Sequence, residues 1–100
     1  LEAKRRLDAG WAPYVLDVRG EAEAIIVRFP FADRLQPHDT VLDLVDDLPR
    51  DRDILVHCKL GGRSAKACRA LADAGLDRLF NLEGGIMGWA DEVDPEMVRY

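Results

Sequence analysis

Short apolar runs alternate with longer amphipathic stretches along the chain. Leu1 to Ala9 holds good helix formers, and Gly10 stands where the residue just past a helix end belongs. Tyr14 to Val18 is a short apolar run entered through Pro13, the pattern of a strand. A second β-branched run, Ile25 to Phe29, follows a polar turn at Gly20 and Glu21 and predicts another strand. Pro30, Pro37 and Asp39 mark a loop. After it, Thr40 or Asp39 is placed to cap a helix over Val41 to Leu48, with Leu44, Val45 and Leu48 on one stripe and Pro49 as its stop. Ile54 to His57 is the most strand-like run, short and wholly apolar up to His57, as central parallel strands are. A helix is predicted from about Arg63 to Ala74, stopped by Gly75. Leu79 to Leu82 reads as a further strand, and Gly84 and Gly85 open a last short helix through Met87 and Trp89. Strands alternating with helical stretches predict a single α/β domain over residues 1–100 with a mainly parallel sheet.

Composition narrows the function classes. With 48% hydrophobic and 33% charged residues the chain has the balance of a globular domain and is too apolar to be disordered. Its net charge of −5 argues against a nucleic-acid partner. No apolar run approaches the roughly 20 residues of a membrane span, so no membrane role is expected. Cys58 and Cys68 are too few for a disulfide framework, and His38 and His57 lie too far apart to suggest a metal site. A reducing, cytoplasmic setting is the expectation. The chain starts at Leu1 without a leader and reads as a segment of something longer.

The segment from Cys58 through Lys59, Leu60, Gly61, Gly62 and Arg63 to Ser64 joins the most strand-like run to a helix. In open α/β sheets chemistry sits beyond the carboxyl ends of the strands, where Cys58 falls. Gly61 and Gly62 allow successive N–H groups to point inward, and the following helix adds the positive end of its dipole. A thiol placed there has a lowered pKa and a larger reactive thiolate fraction. From Ile54 to Ala72 there is no acidic residue, while Lys59, Arg63, Lys66 and Arg69 all fall there. Those last three share a helix face at spacing three, so part of this charge is also what a solvated face would carry. Cys68, sharing a helix face with Ala65, Leu71 and Ala72, is expected to be a core residue.

These residues resemble a known family. Cys58 to Ser64 matches the rhodanese pattern Cys-x-x-Gly-x-Arg-Ser after a strand. Leu16-Asp17-Val18-Arg19 is similar to the family's early Leu-Asp-Val-Arg element, and Leu82-Glu83-Gly84-Gly85-Ile86 with Trp89 to its late Leu-x-Gly-Gly-x-x-x-Trp element. The resemblance implies a rhodanese-like α/β fold, a five-stranded mainly parallel sheet flanked by helices on both faces. It also implies sulfane-sulfur transfer through a persulfide on Cys58, with no other cofactor. The tail from Asp94 to Tyr100 resembles the ending of rhodanese domains fused to ubiquitin-activating-like adenylyltransferases of molybdopterin, thiamine or tRNA-thiolation pathways. That likeness implies an adenylyltransferase domain in the same chain, a donor that is thiosulfate or a cysteine desulfurase, and a ubiquitin-like sulfur-carrier protein as acceptor. The chain departs from the family where Ile26 to Ala32 replaces the usual Gly-His-Ile-Pro-Gly-Ala, which puts substrate preference in question.

In this reading Cys58 is the nucleophile, and Arg63 orients the loop and stabilises anions unless it pairs with a local carboxylate. Lys59, Leu60, Gly61, Gly62 and Ser64 form the substrate cradle; Lys59 either contacts an anionic donor or faces solvent, and Ser64 either bonds to the loop or caps the helix. Asp17 and Arg19 fall at the same rim, placed to meet substrate or to brace the loop as a buried pair. His57 points to the opposite face from its neighbour and is not assigned as a base. A cysteine phosphatase or arsenate reductase is disfavoured, because those enzymes need a longer loop than Lys59 to Gly62 between Cys and Arg. A non-catalytic binding or regulatory module on the same fold is the alternative, against which the presence of Cys58 counts.

Overall fold

A computed structural model describes residues 2–93 and Glu96. In chain order the elements are α1 (Glu2–Asp8), β1 (Tyr14–Asp17), α2 (Glu21–Ile26), β2 (Arg34–Leu35), a 3-10 helix (His38–Leu44), β3 (Ile54–His57), α3 (Gly62–Asp73), β4 (Leu79–Asn81) and α4 (Gly85–Glu92). The strands pair in the order β2-β1-β3-β4, all parallel. β3 is buried along its whole length, as its unbroken apolar run demands of a strand covered on both faces.

Alternation along the strands divides the core in two. Leu16, Val18, Ile54, Val56 and Cys58 pack on one face with Val41, Leu44 and Leu48 and with Ala67 and Leu71 of α3. Val15, Leu55 and Phe29 pack on the other with Leu82 and Ile86, and with Trp11 and Trp89 against them. Helices therefore flank both faces. α3 ends where Gly75, at φ +105°, lets the Leu76 N–H return to the Leu71 carbonyl at 3.1 Å.

Three expectations are corrected. The sheet of the described residues has four strands, not five. Ile25–Phe29 is not a strand, because α2 runs through Glu21–Ile26. The Glu23 carboxylate accepts the Gly20 N–H at 3.1 Å, and this cap at the first turn outweighs the β-branched pair, leaving Ile25 84% exposed. The sheet edge is taken instead by Arg34 and Leu35. Finally, Val41–Leu48 is not one α-helix: a 3-10 helix begins at His38, and Thr40 donates its hydroxyl back to Pro37 rather than capping forward. Leu44 and Leu48 still reach the core. The tail from Asp94, apart from Glu96, lies outside the described residues. Among the described residues no helix is long and apolar enough to cross a membrane.

Candidate active site

The site grows out of β3. Its last residue, His57, accepts the Val18 N–H through its carbonyl at 2.9 Å, so the strand order fixes where the chain leaves the sheet. Cys58 follows, with its side chain on the α3 side and only 1% of the residue exposed. The peptide carbonyls of Cys58 and Lys59 turn away from the sulfur and accept the N–H groups of Ile86 at 2.9 Å and Met87 at 3.0 Å. The first turn of α4 thus anchors the loop from behind. Gly85 makes that approach possible: at φ +59° it comes so close that a Cβ would lie 2.5 Å from both carbonyl oxygens.

With its carbonyls held outward, the loop presents N–H groups to the sulfur. Cys58 Sγ lies 3.0 Å from the Gly61 N–H, 3.4 Å from the Ser64 N–H and 3.4 Å from Ser64 Oγ. Gly61 adopts φ +110° immediately before α3, which opens at Gly62. Ser64 is buried inside the first turn, so it is not the helix cap. Its hydroxyl bonds instead to the Gly61 carbonyl, 3.1 Å away, and to Asn81 Oδ1, while Asn81 Nδ2 donates to Gly61 O at 3.4 Å. Burial pushes the Cys58 thiol pKa up, but hydrogen bonds from Ser64, Gly61 and Leu60 outweigh it and the net direction is down. A thiolate, or a sulfur carried on it, is the species such a nest of donors holds.

Arg63 and its neighbours were legible only in part. Arg63 forms a two-pronged ion pair with Glu23 of α2, Nη1 to Oε1 at 2.6 Å and Nη2 to Oε2 at 2.7 Å. The pair drops the Glu23 pKa to about 2: the Arg63 hydrogen bonds dominate, and burial opposes them without prevailing. Asp17 and Arg19 are 1% and 0% exposed and pair with each other, Arg19 Nη2 to Asp17 Oδ2 at 2.8 Å. Arg19 Nη2 also reaches the Val27 carbonyl at 2.7 Å, tying β1 to the end of α2. Asp17 and Arg19 thus stand as a buried pair, joined to the end of α2. Leu60 is 65% exposed at the loop tip and Gly62 is exposed, whereas Lys59 is half-buried.

His57 faces the other side of the sheet from Cys58. Its ring centroid lies 4.6 Å from that of Phe29, and neither ring nitrogen has a hydrogen-bond partner. Burial lowers its pKa to about 4, with the Asp17 carboxylate opposing and Arg19 reinforcing the shift. Phe29 also stacks on Phe31 at 4.7 Å and meets Trp89 edge-on at 5.2 Å. The segment that departs from the family pattern has become an aromatic cluster. Cys68 is half-buried against the core with Leu71 and Ala67, and burial raises its thiol to about 11. Ala65 and Ala72, expected beside it on the core face, are exposed.

Sequence reasoning missed Glu23, Asn81 and the close approach of Gly85. Gly20 with Glu23 three residues on was a readable helix start, but nothing local connected either to Arg63.

Comparison with known proteins agrees with this geometry. The family described as "Rhodanese-like domain" matches residues 1–92. The chain is 37% identical over 101 residues to the "Probable adenylyltransferase/sulfurtransferase MoeZ" of Mycobacterium tuberculosis, covering 99% of this chain and 26% of that protein. It therefore spans about a quarter of that relative's length. It is also 37% identical over 76 residues to a "Sulfurtransferase" of Allochromatium vinosum, covering 76% of this chain and 70% of that one. Among solved structures, a rhodanese-like domain protein from Staphylococcus aureus superposes with a TM-score of 0.80 at 33% identity, over 92% of this chain and 88% of that chain.

Proposed function

The chain belongs to the rhodanese-like domain family, and from that premise we propose that it is a sulfurtransferase that carries sulfane sulfur as a persulfide on Cys58. The observation that carries the reading is the convergence of the Gly61 and Ser64 N–H groups and the Ser64 hydroxyl on Cys58 Sγ at 3.0 to 3.4 Å, at the start of α3. In the first half-reaction the Cys58 thiolate attacks the sulfane sulfur of thiosulfate or of a desulfurase persulfide. A Cys58 S–S bond forms, the donor's S–S bond breaks, and sulfite or the donor thiolate leaves with the electron pair. The persulfide anion then occupies the nest that held the thiolate. In the second half-reaction an acceptor takes the terminal sulfur and the Cys58 thiolate returns. Splitting one transfer into two covalent steps is what the buried, donor-lined thiol contributes.

The fusion of sulfurtransferase and adenylyltransferase in the name of the mycobacterial relative supports a more specific reading. Here the terminal sulfur of the Cys58 persulfide attacks the adenylated C-terminus of a ubiquitin-like sulfur-carrier protein, activated by an adenylyltransferase domain of the same protein. AMP leaves, and two reducing thiols, oxidised to a disulfide, cleave the resulting acyl disulfide to free the thiocarboxylate and return the Cys58 thiolate. Free thiols are the simpler acceptors. The intact mass of the reduced protein after incubation with thiosulfate tests the core of the proposal. A gain of one sulfur atom, removed by cyanide and absent in Cys58→Ser, is expected. Absence of that gain both with thiosulfate and with a desulfurase supplied with cysteine overturns it.

A further inference from the structure

The run from Ile54 to Ala72 contains no acidic residue, yet the fold brings one onto its central arginine from forty positions away. Glu23 takes both Nη atoms of Arg63 at 2.6 and 2.7 Å, and its Oε1 is held in turn by the Gly20 N–H at 3.1 Å. The carboxylate is thus fixed by the first turn of α2, and with a pKa of about 2 it stays ionised at any working pH. Arg63 sits one residue before Ser64, whose N–H and hydroxyl touch the Cys58 sulfur. The cation in the first turn of α3 is accordingly half of a neutral pair. A dianion approaching the Cys58 thiolate is repelled twice as strongly as a monoanion, and a neutral pair relieves neither.

Resting on the sulfur-transfer reading above, we propose that Glu23 sets the charge of the donor the site accepts: by neutralising Arg63 it disfavours dianionic sulfane donors relative to singly charged ones, the class to which an ionised persulfide belongs. Glu23 is a positioning and specificity residue acting through Arg63, not a catalytic one. Its removal unmasks a positive charge that favours the dianion most.

Thiosulfate and methanethiosulfonate test this, since both deliver one sulfane sulfur and differ by one unit of charge. The readout is the ratio of kcat/KM for thiosulfate to that for methanethiosulfonate, which a general loosening of the loop leaves alone because it acts on both donors. Glu23→Gln should raise the ratio about tenfold. Glu23→Ala, which lacks the amide, is the second variant and must move the ratio the same way. In Glu23→Gln combined with Arg63→Gln, the ratio should fall back near the wild-type value, because a neutral pair has been replaced by a neutral pair. An unchanged ratio in the single variants overturns the proposal. So does a ratio that stays raised when Arg63 is also gone, since Glu23 would then act without it. If the wild-type protein takes up sulfur from neither donor, the sulfur-transfer reading fails, and the selector with it.

Discussion

Gly85→Ala puts a methyl group where the backbone of the Cys58 loop already lies. The added Cβ would stand 2.5 Å from the carbonyl oxygens of Cys58 and Lys59, atoms that have no flexible side chain to swing aside. Two terms follow. Holding a non-glycine residue at φ +59° costs about 1 kcal/mol. Relieving the clash pulls the first turn of α4 off the loop and breaks the hydrogen bonds from Ile86 and Met87, each contributing about 1 kcal/mol. The expected loss is about 3 kcal/mol. Gly10→Ala is the control for backbone strain alone: its φ of +102° also disfavours a side chain, but nothing lies within 4 Å of its added Cβ, so it carries only a conformational term of about 1–2 kcal/mol. Urea unfolding of both variants gives the difference directly. The pH dependence of thiol alkylation should also show the Cys58 pKa moving up in Gly85→Ala, as the N–H groups lose their aim at the sulfur, and staying put in Gly10→Ala. If the two glycine variants lose equal stability and neither moves the thiol, α4 does not position the loop and the argument from Gly85 is wrong.

Two further expectations come from buried groups. His57 is held neutral by burial with a pKa of about 4 against an ordinary 6.5, so the unfolded chain takes up the proton first. Stability should therefore fall by about 3 kcal/mol as pH drops from 6.5 to about 4 and then level off, a component absent from His57→Phe when the two are compared by denaturant unfolding across that range. Ser64→Ala removes a hydroxyl that favours the thiolate, so the Cys58 pKa should rise and alkylation at neutral pH slow by roughly five- to tenfold; an unchanged alkylation profile would assign that hydroxyl to the Gly61 carbonyl and Asn81 rather than to the sulfur.

Legibility from the sequence followed the range of the interaction concerned. β3, α3 and the loop between them were readable because an unbroken apolar run, two glycines and a helical stretch are local signals, and Cys58, the proposed nucleophile, lies inside them. α2 was misread because Ile25, Ile26 and Val27 look like strand residues, whereas a capping contact between Gly20 and Glu23 decides the matter at the other end of the segment. Of the two roles open to Ser64, the cap falls away because the helix opens two residues earlier, at a glycine whose left-handed predecessor carries the turn. The partners that complete the site were out of reach: Glu23 meets Arg63 across 40 positions and Asn81 meets Ser64 across 17, and composition reported a basic loop that the fold has partly neutralised.

Cys58 directly follows an interior strand of the sheet and retains only 1% of its exposure, so its sulfur sits below the surface of the domain rather than on it. Reach then becomes a filter on acceptors. A reacting group must come within bonding distance of an atom that a folded surface cannot touch, so a slender, extended chain end or a molecule of a few atoms gains entry and a side chain on a rigid protein face does not. On the sulfur-transfer proposal, the same depth limits what can reach a sulfur held on Cys58 between donor and acceptor.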